Sequence, residues 1–381
     1  MKLILHIGTE KTGTTSLQRW LHQNQKSFSD QGVFLSDVIG QSNNRALPFC
    51  FLTNADNLPG RNHVRINKYK QKHYPDFAQR FKAEVELANA SHHTMIISSE
   101  HFHRELCATE ELENLKAVLS VLFEEVSIVC YFREQASLRE SRYSTALAQS
   151  EGCSIEDYDR HVTAEDPYYN CFKSASIWSD VFGRDRVDFR IYDRNSLVDR
   201  DIRFDFLTAL PQKIDKASCL IETNFSNEGF SLLEARAFQT INQHVPFWNQ
   251  EWEASRVNKL YKAIFRSCLT LKVGKIVDRG RAAFARQFDD SNAKFFTTFI
   301  KTKKGFDIAP PKDDQNLAFS LSDVGAMVQD IAERLIARLS NSILLKDDAE
   351  LLRDIASKYA SQEPITQEEA LALLKLAARA A

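Results

Sequence analysis

No stretch of this chain reaches the eighteen or so uninterrupted apolar residues that a membrane span needs. The chain also opens on a strand-like run at Lys2 with no charged n-region or cleavage site, so it reads as cytoplasmic. The seven cysteines are scattered and none forms a CxxC pair, which argues against a zinc or disulfide framework. Glycine (12) and proline (9) are too sparse for a low-complexity or disordered chain. Charge of one sign is missing as well: 49 basic against 51 acidic residues leave a net of -2, and this argues against binding nucleic acid through overall charge.

What remains is ordinary globular composition, 43% apolar over 381 residues, enough for a sizeable core. Short β-branched runs stand at LILHI (3–7), TMIISS (94–99), VSIVCYF (126–132) and VDFRIY (187–192), with GVFL (32–35) as a fifth. Between them, 77–90, 109–123 and 171–183 repeat apolar residues at three and four, the helical period. Alternating strands and helices predict an α/β fold, a three-layer P-loop-like parallel sheet of about five strands flanked by helices. Beyond about residue 228 only helical patterns remain, and Pro310-Pro311 marks a linker, so the reading is a domain over 1–309 (strand-rich 1–200, helical 228–309) and a helical C-terminal appendage over 310–381.

The first strand runs into GTEKTGTTS (8–16) and then a helix-like segment. A glycine-containing turn that opens a helix presents unpaired backbone N–H groups and the positive end of the helix dipole, which is an anion site. Gly8 and Gly13 have the spacing of the Walker A glycines, but Thr14 follows Gly13 and the lysine sits earlier, at Lys11. At the end of the 126–132 strand stands Arg133, a planar fork of charged donors suited to phosphate oxygens, with Ser141 eight residues on as a compact donor.

KTGTTSL resembles the 5'-phosphosulfate loop of sulfotransferases that use 3'-phosphoadenosine-5'-phosphosulfate (PAPS), and Arg133 with Ser141 resembles their 3'-phosphate element. Softer similarity to bacterial and glycan-directed members runs through FRIYDRNSLVDRDIRFDFLTAL, NFSNEGF and ARQFDDSNAKFF, so the resemblance covers roughly residues 1–300. It implies a PAPS-dependent enzyme that moves a sulfuryl group to a hydroxyl or amine acceptor. The donor would be bound by Lys11, Thr12, Gly13, Thr14, Thr15, Ser16, Arg133 and Ser141, and no metal would be needed. Lys11 is expected to neutralise charge on the leaving phosphate.

For the base that accepts the acceptor's proton, MIISSEHFHR offers Glu100 first, His101 second and His103 third, with Asp37 held in reserve. The competing reading has Glu100 capping the following helix or pairing with a group of the phosphate loop. The histidines at 92, 93, 101 and 103 fit no zinc spacing. A basic segment over 57–75, with Arg61, Arg65, Lys68, Lys70 and Lys72, suits an anionic acceptor such as an acidic glycan, although a small hydroxyl compound or a merely solvated face stays open. Lys303 and Lys304 are further donor-site candidates. Two rivals remain: a P-loop kinase-like phosphotransferase, and a non-catalytic nucleotide-binding or scaffold protein that self-associates through its C-terminal amphipathic runs.

Overall fold

The structure, a computed structural model, describes residues 1–38, 43–52, 75–220, 232–244 and 280–302, with 230, 247, 258, 259, 262, 278, 305, 306 and 354. The basic segment at 61–72, Lys303, Lys304 and, apart from residue 354, the appendage at 310–381 lie outside the described residues. The chain divides into two compact units, each discontinuous in sequence. The first comprises Met1–Leu138, His161–Ser226 and Ala282–Ile308; the second comprises Arg139–Arg160, Asn227–Arg281 and Ala309–Ala381.

The first unit is a three-layer α/β domain, as the alternation of patterns predicts. Its strands are β1 (Lys2–His6), β2 (Val33–Leu35), β3 (Thr94–Ser98), β4 (Glu125–Phe132) and β5 (Val187–Ile191), all parallel, in the order β2-β3-β1-β4-β5. Because side chains alternate across a pleat, each central strand feeds both layers. Leu3 and Leu5, Met95 and Ile97, and Ile128, Cys130 and Phe132 enter one core cluster, whereas Ile4, Ile96, Val129 and Tyr131 enter the other.

Helices α1 (Thr14–Gln23), α2 (Gln25–Asp30), α3 (Ala46–Phe51), α4 (Phe77–Asn89), α5 (His101–Glu105), α6 (Thr109–Leu122), α7 (Gln135–Gln149), α8 (Cys171–Phe182) and α9 (Ile202–Leu207) follow in chain order. An apolar stripe on α1 (Leu17, Trp20 and Leu21) and one on α6 (Leu112, Leu115 and Leu119) are buried against the two sides of the sheet. Ends are closed by specific donors and acceptors. Asn170 accepts from the Lys173 amide at the start of α8 (2.8 Å), and buried Glu111 accepts from the amides of Cys107 and Ala108 ahead of α6. The helix-like run SLQRWLHQNQ (16–25) breaks at Asn24, whose side chain donates to Trp20 O (2.8 Å) and Leu220 O (3.1 Å).

Later come α10 (Leu232–His244), α11 (Arg281–Arg286) and α12 (Asp289–Phe295), which runs on into a π-helical turn at Phe296–Ile300. In the second unit, Tyr143, Leu147, Ile155, Phe230, Ala235, Phe238 and Ile241 form a core of their own. Buried Lys262 there donates to Ala148 O (3.1 Å) and Gln149 O (2.6 Å), satisfying carbonyls that the end of α7 leaves unpaired. No helix among the described residues is long and apolar enough to cross a membrane.

Candidate functional site

In a parallel sheet, ligands sit beyond the carboxyl ends of the strands, at the point where outgoing connections turn opposite ways. Here that point lies between β1 and β4: β1 leads through α1 toward β2, and β4 leads the other way, to β5. After β1 the backbone stays extended alongside β4, with Ile7 N bonded to Val129 O (2.9 Å) and Thr9 N to Tyr131 O (3.3 Å). It then turns sharply into α1.

Three left-handed residues make that turn: Gly8 (φ 53°), Lys11 (φ 65°) and Gly13 (φ 77°). Glycine adopts this conformation without strain, whereas a lysine does not. The space is equally demanding. A Cβ on Gly13 would stand 3.1 Å from Tyr192 Oη and 3.2 Å from Ile202 Cγ2, and one on Gly8 would stand 2.8 Å from Thr14 Cγ2. The glycines therefore answer both to backbone angle and to close approach.

The residues predicted for this loop take different roles. Thr12 is buried and its hydroxyl donates to Thr9 O (2.7 Å), while Thr9 Oγ1 donates to Tyr131 O (3.0 Å), so these two hydroxyls hold the turn itself. Thr14 is buried as the first residue of α1, Thr15 is exposed, and Ser16 is half-buried. Burial pushes the Lys11 ammonium below its usual range, as does Arg133, and the carboxylates of Glu10 and Glu100 act in the opposite direction.

Arg133, which ends β4, donates from Nη1 to the backbone carbonyl of Lys11 at 2.8 Å. The strand-end arginine and the glycine turn thus belong to one site, joined across 122 residues of sequence. The guanidinium also lies 5.9 Å from the ring of Tyr192, the same tyrosine that abuts Gly13. Ser141 stands on α7 within the second unit, half-buried.

On the other side of β1, Glu100 stands two residues past the end of β3. It occupies the cap position of α5, yet its side chain makes no capping bond. Instead Oε2 accepts from Gln18 Nε2 on α1 (2.8 Å), and the same amide reaches Ser98 O (3.2 Å). Glu100 therefore makes no cap bond, and its hydrogen-bond partner Gln18 stands on α1, beyond the turn at 8–16.

His101 Nδ1 lies 3.8 Å from Glu105 Oε1, and its ring meets the edge of Phe49 at 5.7 Å. His103 is 3% exposed, and neither ring nitrogen has a hydrogen-bond partner among the described residues. Burial pushes it down to about 4, so it is neutral near pH 7 and sealed from any acceptor. Asp37 is exposed beyond edge strand β2, where its amide donates to Glu84 (2.9 Å) and its carboxylate receives Gln25 Nε2.

Sequence reasoning missed Glu10, Gln18, Arg104, Tyr168 and Tyr192. Glu10 accepts from Arg104 Nη1 (2.9 Å) and from the Tyr168 hydroxyl (2.5 Å). Gln18 could have been found, because it shares a helical face with Leu17 and Leu21, where a long polar side chain breaks the apolar pattern. Tyr168 carries no such signal, since it comes from a segment without periodicity.

No protein-family model matches the chain, and no solved structure does. The chain is similar to a protein of Archaeoglobus fulgidus described as an uncharacterized protein, 28% identical over 213 residues. That match covers 56% of this chain and 55% of the relative, so it spans about half the length of each.

Proposed function

We propose that the chain is a sulfotransferase that takes a sulfuryl group from PAPS to a hydroxyl or amine acceptor, with the turn at 8–16 cradling the donor's 5'-phosphate. The observation that carries this reading is the hydrogen bond from Arg133 to the carbonyl of Lys11, 2.8 Å long. It joins the glycine turn after β1 to the arginine after the adjacent strand β4, and a donor phosphorylated at both ends would need cationic or N–H donors at two such places. The residues suit such a ligand: a turn with two glycines at positions where a side chain would be strained, a half-buried lysine, and a guanidinium with a planar fork of donors.

Bound there, the donor supplies an activated sulfuryl group on a phosphate oxygen. The bond from sulfur to the bridging oxygen breaks, that oxygen keeps the electron pair, and the acceptor oxygen or nitrogen forms the new bond. Lys11 neutralises the growing charge on the bridging oxygen, and the loop amides with Thr14 and Thr15 hold the 5'-phosphate. Arg133 is assigned to the 3'-phosphate. Glu100, fixed by Gln18, is the base for the acceptor proton, with His101 second. An acidic glycan or a small hydroxyl compound is the proposed acceptor class.

The test is transfer of labelled sulfate from PAPS to a panel of glycans, lipids and phenols. Turnover by the wild-type chain, its loss in Lys11→Ala, and retained binding of adenosine 3',5'-bisphosphate by that variant are expected; near-normal turnover in Lys11→Ala sinks the assignment. A kinase-like phosphotransferase is the second reading, and one observation favours it: an acidic residue, Glu100, stands just past the strand beside β1, where a nucleotide-bound magnesium ion would need an acid. ATP binding that depends on magnesium, with no binding of adenosine 3',5'-bisphosphate, would select that reading.

A further inference from the structure

Glu10 is the one acidic residue inside the glycine turn, and its surroundings are built rather than solvated. Its side chain is 18% exposed, and its two carboxylate oxygens are held by groups from two other parts of the first unit: Oε1 by Arg104 of α5 (2.9 Å) and Oε2 by the hydroxyl of Tyr168, just ahead of α8 (2.5 Å). The Tyr168 ring in turn lies 5.4 Å from that of buried His103. On the opposite side of the turn, Arg133 grips the carbonyl of the next residue, Lys11. Lys11 is the only non-glycine residue of the turn with a left-handed backbone, a conformation that persists where neighbours over-determine it.

We infer that Glu10 is a positioning residue for Lys11: pinned by Arg104 and Tyr168, it fixes the left-handed turn from one side while Arg133 fixes it from the other. The inference rests on the reading of Lys11 as the cation that faces the transferred group. Charged groups acting on Lys11 come from three elements: Glu10 on the turn itself, Glu100 ahead of α5, and Arg133 at the end of β4, the last opposing the other two. Those facing Glu10 are Arg104, Tyr168 and His103. Without Glu10, burial and Arg133 act against Glu100 alone, so the ammonium would lose its proton at lower pH.

The experiment reads Lys11 directly and needs neither donor nor acceptor. The full chain is labelled with trace acetic anhydride across a pH series, and modification of the Lys11 peptide is quantified by mass spectrometry. Only the unprotonated amine reacts. In Glu10→Gln the midpoint of Lys11 labelling is expected to move to lower pH with an unchanged plateau, so that labelling below the wild-type midpoint rises several-fold. Glu10→Asp, which keeps the charge, should retain the wild-type midpoint. Should Glu10→Gln not fold, Tyr168→Phe serves instead: it frees one oxygen of the carboxylate without changing any charge, and the midpoint is expected to move in the same direction by less. An unshifted midpoint in whichever of these two variants folds overturns the inference, as does a change in the plateau alone, which would report access and not charge. Failure of the sulfotransferase reading looks different: the wild-type chain transfers no sulfate, whatever the labelling shows.

Discussion

Two buried histidines of the first unit give it an acid limit that can be worked from their surroundings. His6 on β1 is fully buried between β3, β4 and α9: its Nδ1 meets Ser98 Oγ at 2.7 Å, its ring meets Tyr131 and Phe206 edge-on, and Nε2 has no partner among the described residues. Burial pushes it from 6.5 to about 3, and His103 from 6.5 to about 4. Both folded values lie below the unfolded one. The unfolded chain therefore binds more protons as pH falls, and the stability that the neutral rings contribute is complete above 6.5 and is lost progressively below it.

From pH 7 to pH 5 an unfolded imidazole gains about 2 kcal/mol by protonation that neither folded ring shares, so the two together lower the stability by about 4 kcal/mol. That is a large fraction of a typical domain's total. The perturbation is His103→Phe, chosen because no described partner holds the ring nitrogens and the ring packs on Phe132 and Tyr168, so a phenyl group of similar shape should be neutral or stabilising at pH 7. The assay is urea unfolding at pH 7 and pH 5, followed through Trp20 and Trp178 in the core of this unit. Wild type should lose about 4 kcal/mol between the two conditions and the variant about half of that, with every other titrating group cancelling in the comparison. Equal losses in the two proteins would refute the reasoning for His103, and no loss in either would refute it for both rings.

The proposed base can be separated from its neighbour by rate: Glu100→Gln is expected to lower turnover of the sulfuryl transfer by 10²-fold or more and His101→Ala far less, measured at saturating donor. If both keep full activity, the proton goes elsewhere. Gly13→Ala should lose about 1–3 kcal/mol, because a left-handed φ of 77° becomes strained and the new methyl presses on Tyr192 and Ile202; thermal unfolding checks this, and an unchanged midpoint would contradict it.

The fold was legible because its signals are local. Runs such as VSIVCYF are short and β-branched enough for buried strands, and the stripes on 109–122 and 171–182 need a sheet to cover, so a parallel sheet of about five strands with flanking helices was readable from the alternation of patterns. The glycine turn was legible for a related reason: two glycines between a strand and a helix announce angles that other residues resist. What the sequence could not announce was partnership. Arg133 and Lys11 stand 122 positions apart, and nothing in either neighbourhood says that a guanidinium ends on a particular carbonyl. The same holds for Glu10 with Tyr168, 158 positions away.

The limit has a physical origin. Apolar burial is non-directional and leaves a periodic trace along the chain, whereas a hydrogen bond between distant residues is fixed by strand order and by the level at which each strand ends. Strand order decides which ends become neighbours: only because β1 lies between β3 and β4 do Glu100 and Arg133 flank the same turn, one on each side of Lys11. Moving β4 to the edge of the sheet would leave every motif in the sequence unchanged and would take the guanidinium off the Lys11 carbonyl. The chemistry of this turn is thus a property of topology first and of its own residues second.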